Sequence, residues 1–297
     1  MILKNWMSFL SDDAKLTQIV MPGAHNAGTY GMARIACCQD GTLYDQVIHG
    51  VRHFCIRLDT TRKGIVMTHG ISKGDLFENA LRDFAKAMDE CPTEVFLLDM
   101  REYSPTKYGP ITNRCEAKPA QVDALLKKYI DPEKYAYCDF SHIKDVTIGD
   151  MRRAGKRYII INSNRAYAYS MDCQTILPWD KYVYGFKTEK FLREIPKIFE
   201  REHTDGIYWF QTQETPNVGT ELGMMTPRKM DALVTPHYGE LMKTIADNPE
   251  YLRQTNVIGG DFMIDGIKTP LIIALNLKKD LVRPECRQAF ADGLGVQ

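Results

Sequence analysis

Two histidines and three arginines stand directly behind short apolar runs. His25 follows the run Gln18–Met21 within Pro22-Gly23-Ala24-His25-Asn26. Val51–Leu58 ends in Arg57-Leu58-Asp59, and Ile65–Thr68 in His69-Gly70. Val95–Met100 leads into Asp99-Met100-Arg101-Glu102, and Arg157–Ile161 into Asn162-Ser163-Asn164-Arg165. Later runs end in Gln211-Thr212-Gln213 and in Gly260-Asp261. Each residue alone reads as an ordinary loop, cap or surface pair. Their joint occurrence suits cleavage of a phosphodiester. A neutral His can take a proton from the attacking group, and a protonated one can give a proton to the leaving oxygen. Arg adds a planar, permanent charge for the non-bridging oxygens. A carboxylate behind a His fixes its tautomer. There is no Gly-rich phosphate loop, so a nucleoside triphosphate is not expected, and there is neither HExxH nor a clear cluster of metal carboxylates.

These residues fall at one end of every strand if the apolar runs are parallel strands. Longer amphipathic stretches separate the runs. Gly74–Glu90 carries Leu76, Phe77, Ala80, Leu81, Phe84, Ala85 and Met88 at helical spacing, with Pro92 just beyond. Gln121–Tyr129, Glu189–His203, Pro227–Ala246 (with a break at Pro236) and Pro270–Lys279 also read as helices. Tyr103–Pro119 reads as a long loop, Tyr182–Phe186 and Gly206–Gln211 as strands, and Asn256–Phe262 as the last strand. Strands alternating with helices imply an α/β fold with a mainly parallel sheet. About eight strands in one domain spanning residues 1–297 favour a TIM-type (β/α) barrel over an open sheet. Only Asp59–Gly64 separates the second run from the third, so the barrel is expected to be irregular. Active sites of such barrels lie at the C-terminal strand ends, where the histidines and arginines fall.

The chain has 297 residues, with 38 Lys+Arg against 38 Asp+Glu. That balance argues against non-specific nucleic-acid binding. No apolar run approaches the roughly 20 residues of a membrane span. Met1–Leu10 lacks the apolar stretch of a secretory signal, so the chain is expected to be cytoplasmic or already processed. The eight cysteines show no CxxC and read as buried, reduced thiols.

Four segments resemble the signatures of the phosphatidylinositol-specific phospholipase C family (its X domain), in order and spacing. They are Met21-Pro22-Gly23-Ala24-His25-Asn26-Ala27-Gly28-Thr29, Gly50-Val51-Arg52-His53-Phe54-Cys55-Ile56-Arg57, Thr68-His69-Gly70, and Thr93-Glu94-Val95-Phe96-Leu97-Leu98-Asp99-Met100-Arg101. Gly259-Gly260-Asp261-Phe262 extends the match more loosely. The single-domain length is similar to the bacterial and trypanosomal GPI-cleaving members. The resemblance implies a distorted TIM barrel. It implies His25 as general base on the inositol 2-hydroxyl, His69 as general acid on the glycerol oxygen, and Asp261 as the carboxylate orienting His25. The products would be diacylglycerol and inositol 1,2-cyclic phosphate. Arg57 and Arg101 fall where calcium-dependent members carry carboxylates, so the resemblance implies no metal and no cofactor.

Asn26 matches the calcium-type His-Asn pair, and Cys55 stands where the family has a carboxylate. Asp59, just beyond Arg57, is the nearest candidate for the missing charge. Arg165, Gln211 and Gln213 are further candidates for contacts to phosphate or inositol hydroxyls. The expected partner is a phospholipid at a membrane surface, met by a monomer without a transmembrane segment. Ile35, Trp6 and Trp179 are candidates for rim contacts, with ordinary loop or core positions the favoured reading. Two other readings compete: a catalytically weak barrel that binds an inositol phosphate head group, and a metal-dependent glycerophosphodiesterase. The two histidines oppose the first, since a binder needs no base. Arg57 and Arg101 oppose the second.

Overall fold

In the computed structural model, residues 2–100, 106–108, 111–113, 116–176, 199, 205–214 and 225–295 are described. Short runs rich in Ile, Val, Leu and Phe form one parallel sheet. Its strands are β1 (Met21–Ala24), β2 (His53–Cys55), β6 (Phe96–Asp99), β9 (Tyr158–Ile161), β10 (Ser170–Met171), β11 (Trp209–Gln211) and β12 (Val257–Gly260). Their spatial order is β10-β9-β6-β2-β1-β12-β11. The stretch after β10 joins the two edges. Ser170 pairs with Ile160 of β9, and six residues on Ile176 forms a parallel bridge to Tyr208. Ile207 N donates to Cys173 O, and Trp209 N to Ile176 O. The sheet therefore curls into the irregular (β/α) barrel expected from the alternation of elements.

Successive residues of each strand face opposite ways. Phe54, Phe96, Leu98, Tyr158 and Ile160 pack outward on the helices, including Phe77, Leu81 and Phe84 of α2 (Phe77–Glu90). Leu97, Ile159, Trp209 and Val257 turn inward with Trp6, Met7 and Leu10 of the N-terminal segment. Gly259 is obligatory here, because a Cβ would stand 2.0 Å from the Trp209 indole nitrogen. Trp6 is fully buried in this plug and is no rim residue. Arg52 and Glu94 hold the plug in place. Arg52 donates to Glu94 Oε2 at 2.7 Å and to the carbonyls of Leu3 and Lys4 at 3.2 and 2.8 Å. Glu94 Oε2 accepts from Met7 N at 3.1 Å.

Several elements differ from the sequence expectation. Strand one begins at Met21, so Pro22 and Gly23 lie inside it rather than closing it. Met21 N donates to Asn256 O, the residue before β12. Pro22 by alternation faces the other side, where β2 starts only opposite Gly23, so its missing N–H breaks no bond. Val51–Leu58 is not one strand. The chain turns at Ile56-Arg57, and β3 (Leu58–Thr61) leaves the barrel to pair antiparallel with β4 (Gly64–His69), which pairs with β5 (Ser72–Leu76). The third apolar run is thus part of a separate three-stranded sheet. This accounts for the short Asp59–Gly64 link: it is the end of β3, a two-residue turn at Arg62-Lys63, and Gly64, which opens β4 at φ +120°.

Tyr103–Pro119 contains a small hairpin, β7 (Thr106–Tyr108) with β8 (Ile111–Asn113). The break expected at Pro236 is present, between helices Pro227–Val234 and Tyr238–Asp247. The Pro270–Lys279 helix spans Lys268–Lys278, and a further helix, Arg287–Leu294, follows it. The strand expected at 182–186, and all of the helix expected at 189–203 apart from residue 199, lie outside the described residues, as does Trp179.

Candidate active site

His25 is the first residue beyond β1, and its N–H continues the ladder to Gly260 O at 3.0 Å. Asp261 is the first residue beyond β12, so the two side chains emerge from neighbouring strands. His25 Nδ1 donates to Asp261 Oδ1 at 2.7 Å, while His25 Nε2 accepts from Asn26 Nδ2 at 3.0 Å. That network selects the neutral tautomer whose basic lone pair is on Nε2. Asn26 reaches the ring because it adopts φ +47°, a left-handed conformation that Asn tolerates. The pair is largely shielded, with side-chain exposures of 13% for His25 and 4% for Asp261.

His69 ends β4 and meets His25 edge to face, with ring centroids 6.4 Å apart. Its Nδ1 donates to Ala36 O at 2.9 Å, which leaves Nε2 for proton exchange. Burial, reinforced by the charge of Arg57, pushes its pKa down to about 4. The excursion of β3 and β4 out of the barrel is what carries His69 back to the rim. Arg57 sits at the start of that excursion, and its carbonyl accepts from Thr68 N at 2.9 Å.

Residues 25–42 hold both rings. Gln39, fully buried, donates to His25 O and Gly260 O at 2.9 Å each and accepts from Met263 N at 3.1 Å. Cys38 Sγ lies 3.6 Å from Asn26 Nδ2 and 3.8 Å from His69 Nδ1. Lys268, also fully buried, ties Asp261 O to Asp231, and burial pushes the Asp231 carboxyl up to about 6. Sequence reasoning missed Ala36, Gln39 and Lys268, which lie in no recognisable motif, and read Cys38 only as a buried thiol. Glu94 and Arg52, inside matched signatures, serve the plug. His53, buried in the barrel, lies 3.3 Å from Asp99 and packs at a tilt against Trp209, ring centroids 4.7 Å apart.

Not every expected residue joins the histidines. Asp59 is paired with Lys73 and accepts from Thr60 N at 2.8 Å, so it anchors the hairpin sheet instead of charging the His69 side. Arg165, exposed at φ +50°, lines an outward cleft with Asp123, Tyr167 and Tyr169. Gln211 and Gln213 are buried and bonded to each other at the end of β11. Arg101 lies outside the described residues. For a metal, one donor atom each of His25, Cys38 and Asp261 lies within 4.8 Å of the others. This set holds too few oxygens for calcium, which takes 6–8.

The irregular parallel barrel thus carries a His–Asp pair facing a second His at the C-terminal ends of its strands. Among solved structures, the chain is similar to the phosphatidylinositol-specific phospholipase C of Listeria monocytogenes. The TM-score is 0.67 at 17% identity over 92% of this chain and 98% of that one. It is similar also to a Staphylococcus aureus phosphatidylinositol-specific phospholipase C, with a TM-score of 0.58 at 18% identity over 87% and 90%. The chain therefore has the fold of these bacterial enzymes. No protein-family model and no curated protein matches the sequence.

Proposed function

We propose that the chain cleaves phosphatidylinositol or GPI-type lipids by intramolecular phosphoryl transfer. The observation that carries this reading is the His25–Asp261 pair set across from His69. His25 Nε2 takes the proton of the inositol 2-hydroxyl once Asn26 yields to substrate, and Asp261 balances the imidazolium. The hydroxyl oxygen bonds to phosphorus. The glycerol oxygen departs with a proton from His69, which gives diacylglycerol and inositol 1,2-cyclic phosphate. Arg57 holds the non-bridging oxygens, with Arg101 beside it on the grounds of the sequence resemblance. Gln211 and Gln213 are proposed to meet inositol hydroxyls.

A bound phosphodiester brings one negative charge between Arg57 and His69. It offsets the Arg57 repulsion that adds to burial in keeping His69 neutral, so bound substrate favours the charged acid. Phosphorus NMR of the protein with phosphatidylinositol vesicles, first in excess EDTA and then with calcium, tests the whole reading. The cyclic phosphate is expected in both. Product only after calcium addition would overturn the metal-free mechanism, and no product in either would overturn the activity.

A further inference from the structure

We propose that His25, Cys38 and Asp261 form a binding site for a soft divalent cation, zinc(II) being the probe, and that the bound ion blocks the base. The inhibitory half rests on the activity proposed above; the site does not. One donor atom of each residue lies within 4.8 Å of the other two. Ligands around a tetrahedral zinc stand about 3.3–3.8 Å apart, so closing the set takes side-chain movements of about an ångström. The donors are imidazole, thiol and carboxylate, a set that suits zinc and disfavours calcium and magnesium. The Asp261 carboxylate has a second oxygen, so it can ligate and still hold His25.

A second observation points to the same place. Asn26 is buried at 2% exposure, and its Oδ1 has no hydrogen-bond partner although its Nδ2 touches both His25 and Cys38. A donating amide beside sulfur stabilises a thiolate, and the spare oxygen can accept from a water on the ion. His69 Nδ1 lies 3.8 Å from the same sulfur.

Binding is a ligand exchange without redox change. The Cys38 thiol, which burial keeps protonated, releases its proton to solvent. Sulfur, an imidazole nitrogen and a carboxylate oxygen then replace three waters of the ion. The thiolate and the carboxylate cancel its two charges. Arg57 opposes it, which holds affinity below that of a structural zinc site.

The test is titration of metal-free protein with cobalt(II), followed by displacement with zinc(II). A one-to-one complex with a thiolate-to-cobalt charge-transfer band is expected. Cys38→Ala should lose the band and weaken zinc by roughly 100-fold or more, beyond what losing an outer-shell partner costs. Cys37→Ala should keep both. His25→Ala, which tests the site without touching sulfur, should keep the band at weaker affinity. No one-to-one complex, a band that survives Cys38→Ala, or unchanged affinity in His25→Ala would overturn the site. In the lipid assay, saturating zinc should stop cleavage and EDTA should restore it; cleavage that continues overturns the inhibitory half. A cobalt complex in a protein that cleaves nothing supports the site and refutes only the activity.

Discussion

His25 bonds to Asp261 and Asn26 at the strand ends and lies in neither apolar cluster of the core, so its loss is chiefly a loss of chemistry. His25→Ala should lower phosphatidylinositol cleavage by at least the 10²–10⁴-fold typical of a general base, with an unchanged circular dichroism spectrum. Asp261→Asn should lower it less, because Asn can hold the ring without balancing its charge. His69 also gives a pH signature. Its folded pKa is about 4 against an ordinary 6.5, so the unfolded chain binds the proton more readily. Its contribution to stability is full above pH 6.5 and is lost as pH falls toward 4. Urea unfolding across that window should show stability rising with pH, with a shallower rise in His69→Asn. An identical slope in the variant would place the effect elsewhere. Of the residue-level site, His25, His69, Arg57 and Asp261 were legible because each abuts an apolar run. Gln39 and Lys268 were not, since a buried amide or amine declares itself only through partners brought from far along the chain.

At the scale of elements, periodicity was a good guide to α2 and to the inner strands, where one face or both are apolar. It failed at Ile56-Arg57. A largely apolar run without Gly or Pro does not show that the chain changes sheets in its middle. The same blindness hid Ser72–Leu76, whose polar residues pair at the edge of the outer sheet. The N-terminal plug hangs on Arg52 and Glu94, both with fully buried side chains. Glu94→Ala leaves the guanidinium uncompensated inside the protein. It should cost about 3–5 kcal/mol, read as a lowered urea midpoint. A loss below about 1 kcal/mol, the level of a surface pair, would refute the role.

Over the whole molecule, no helix among the described residues is long and apolar enough to cross a membrane. The large exposed apolar side chains include Ile35, Ile71 and Ile267. Each stands within two residues of a group that holds the site: Ala36, His69 and Lys268. If the substrate is drawn from a bilayer, these side chains meet it first. Ile35→Ser with Ile71→Ser should weaken sedimentation with phosphatidylinositol vesicles while sparing cleavage of a soluble inositol phosphodiester. Equal losses on both substrates would count against the membrane role.

The loop over residues 26–42 grips the His25 carbonyl through Gln39 and the His69 ring through Ala36, the proposed base and acid. If that loop lets go, the His69 ring and the His25 backbone lose an anchor together. The two proposed catalytic groups therefore share one local melting event. On gradual heating, cleavage should vanish in a single step while the barrel's hydrogen-exchange protection persists. A protease that nicks the loop would silence both halves of the reaction with one cut.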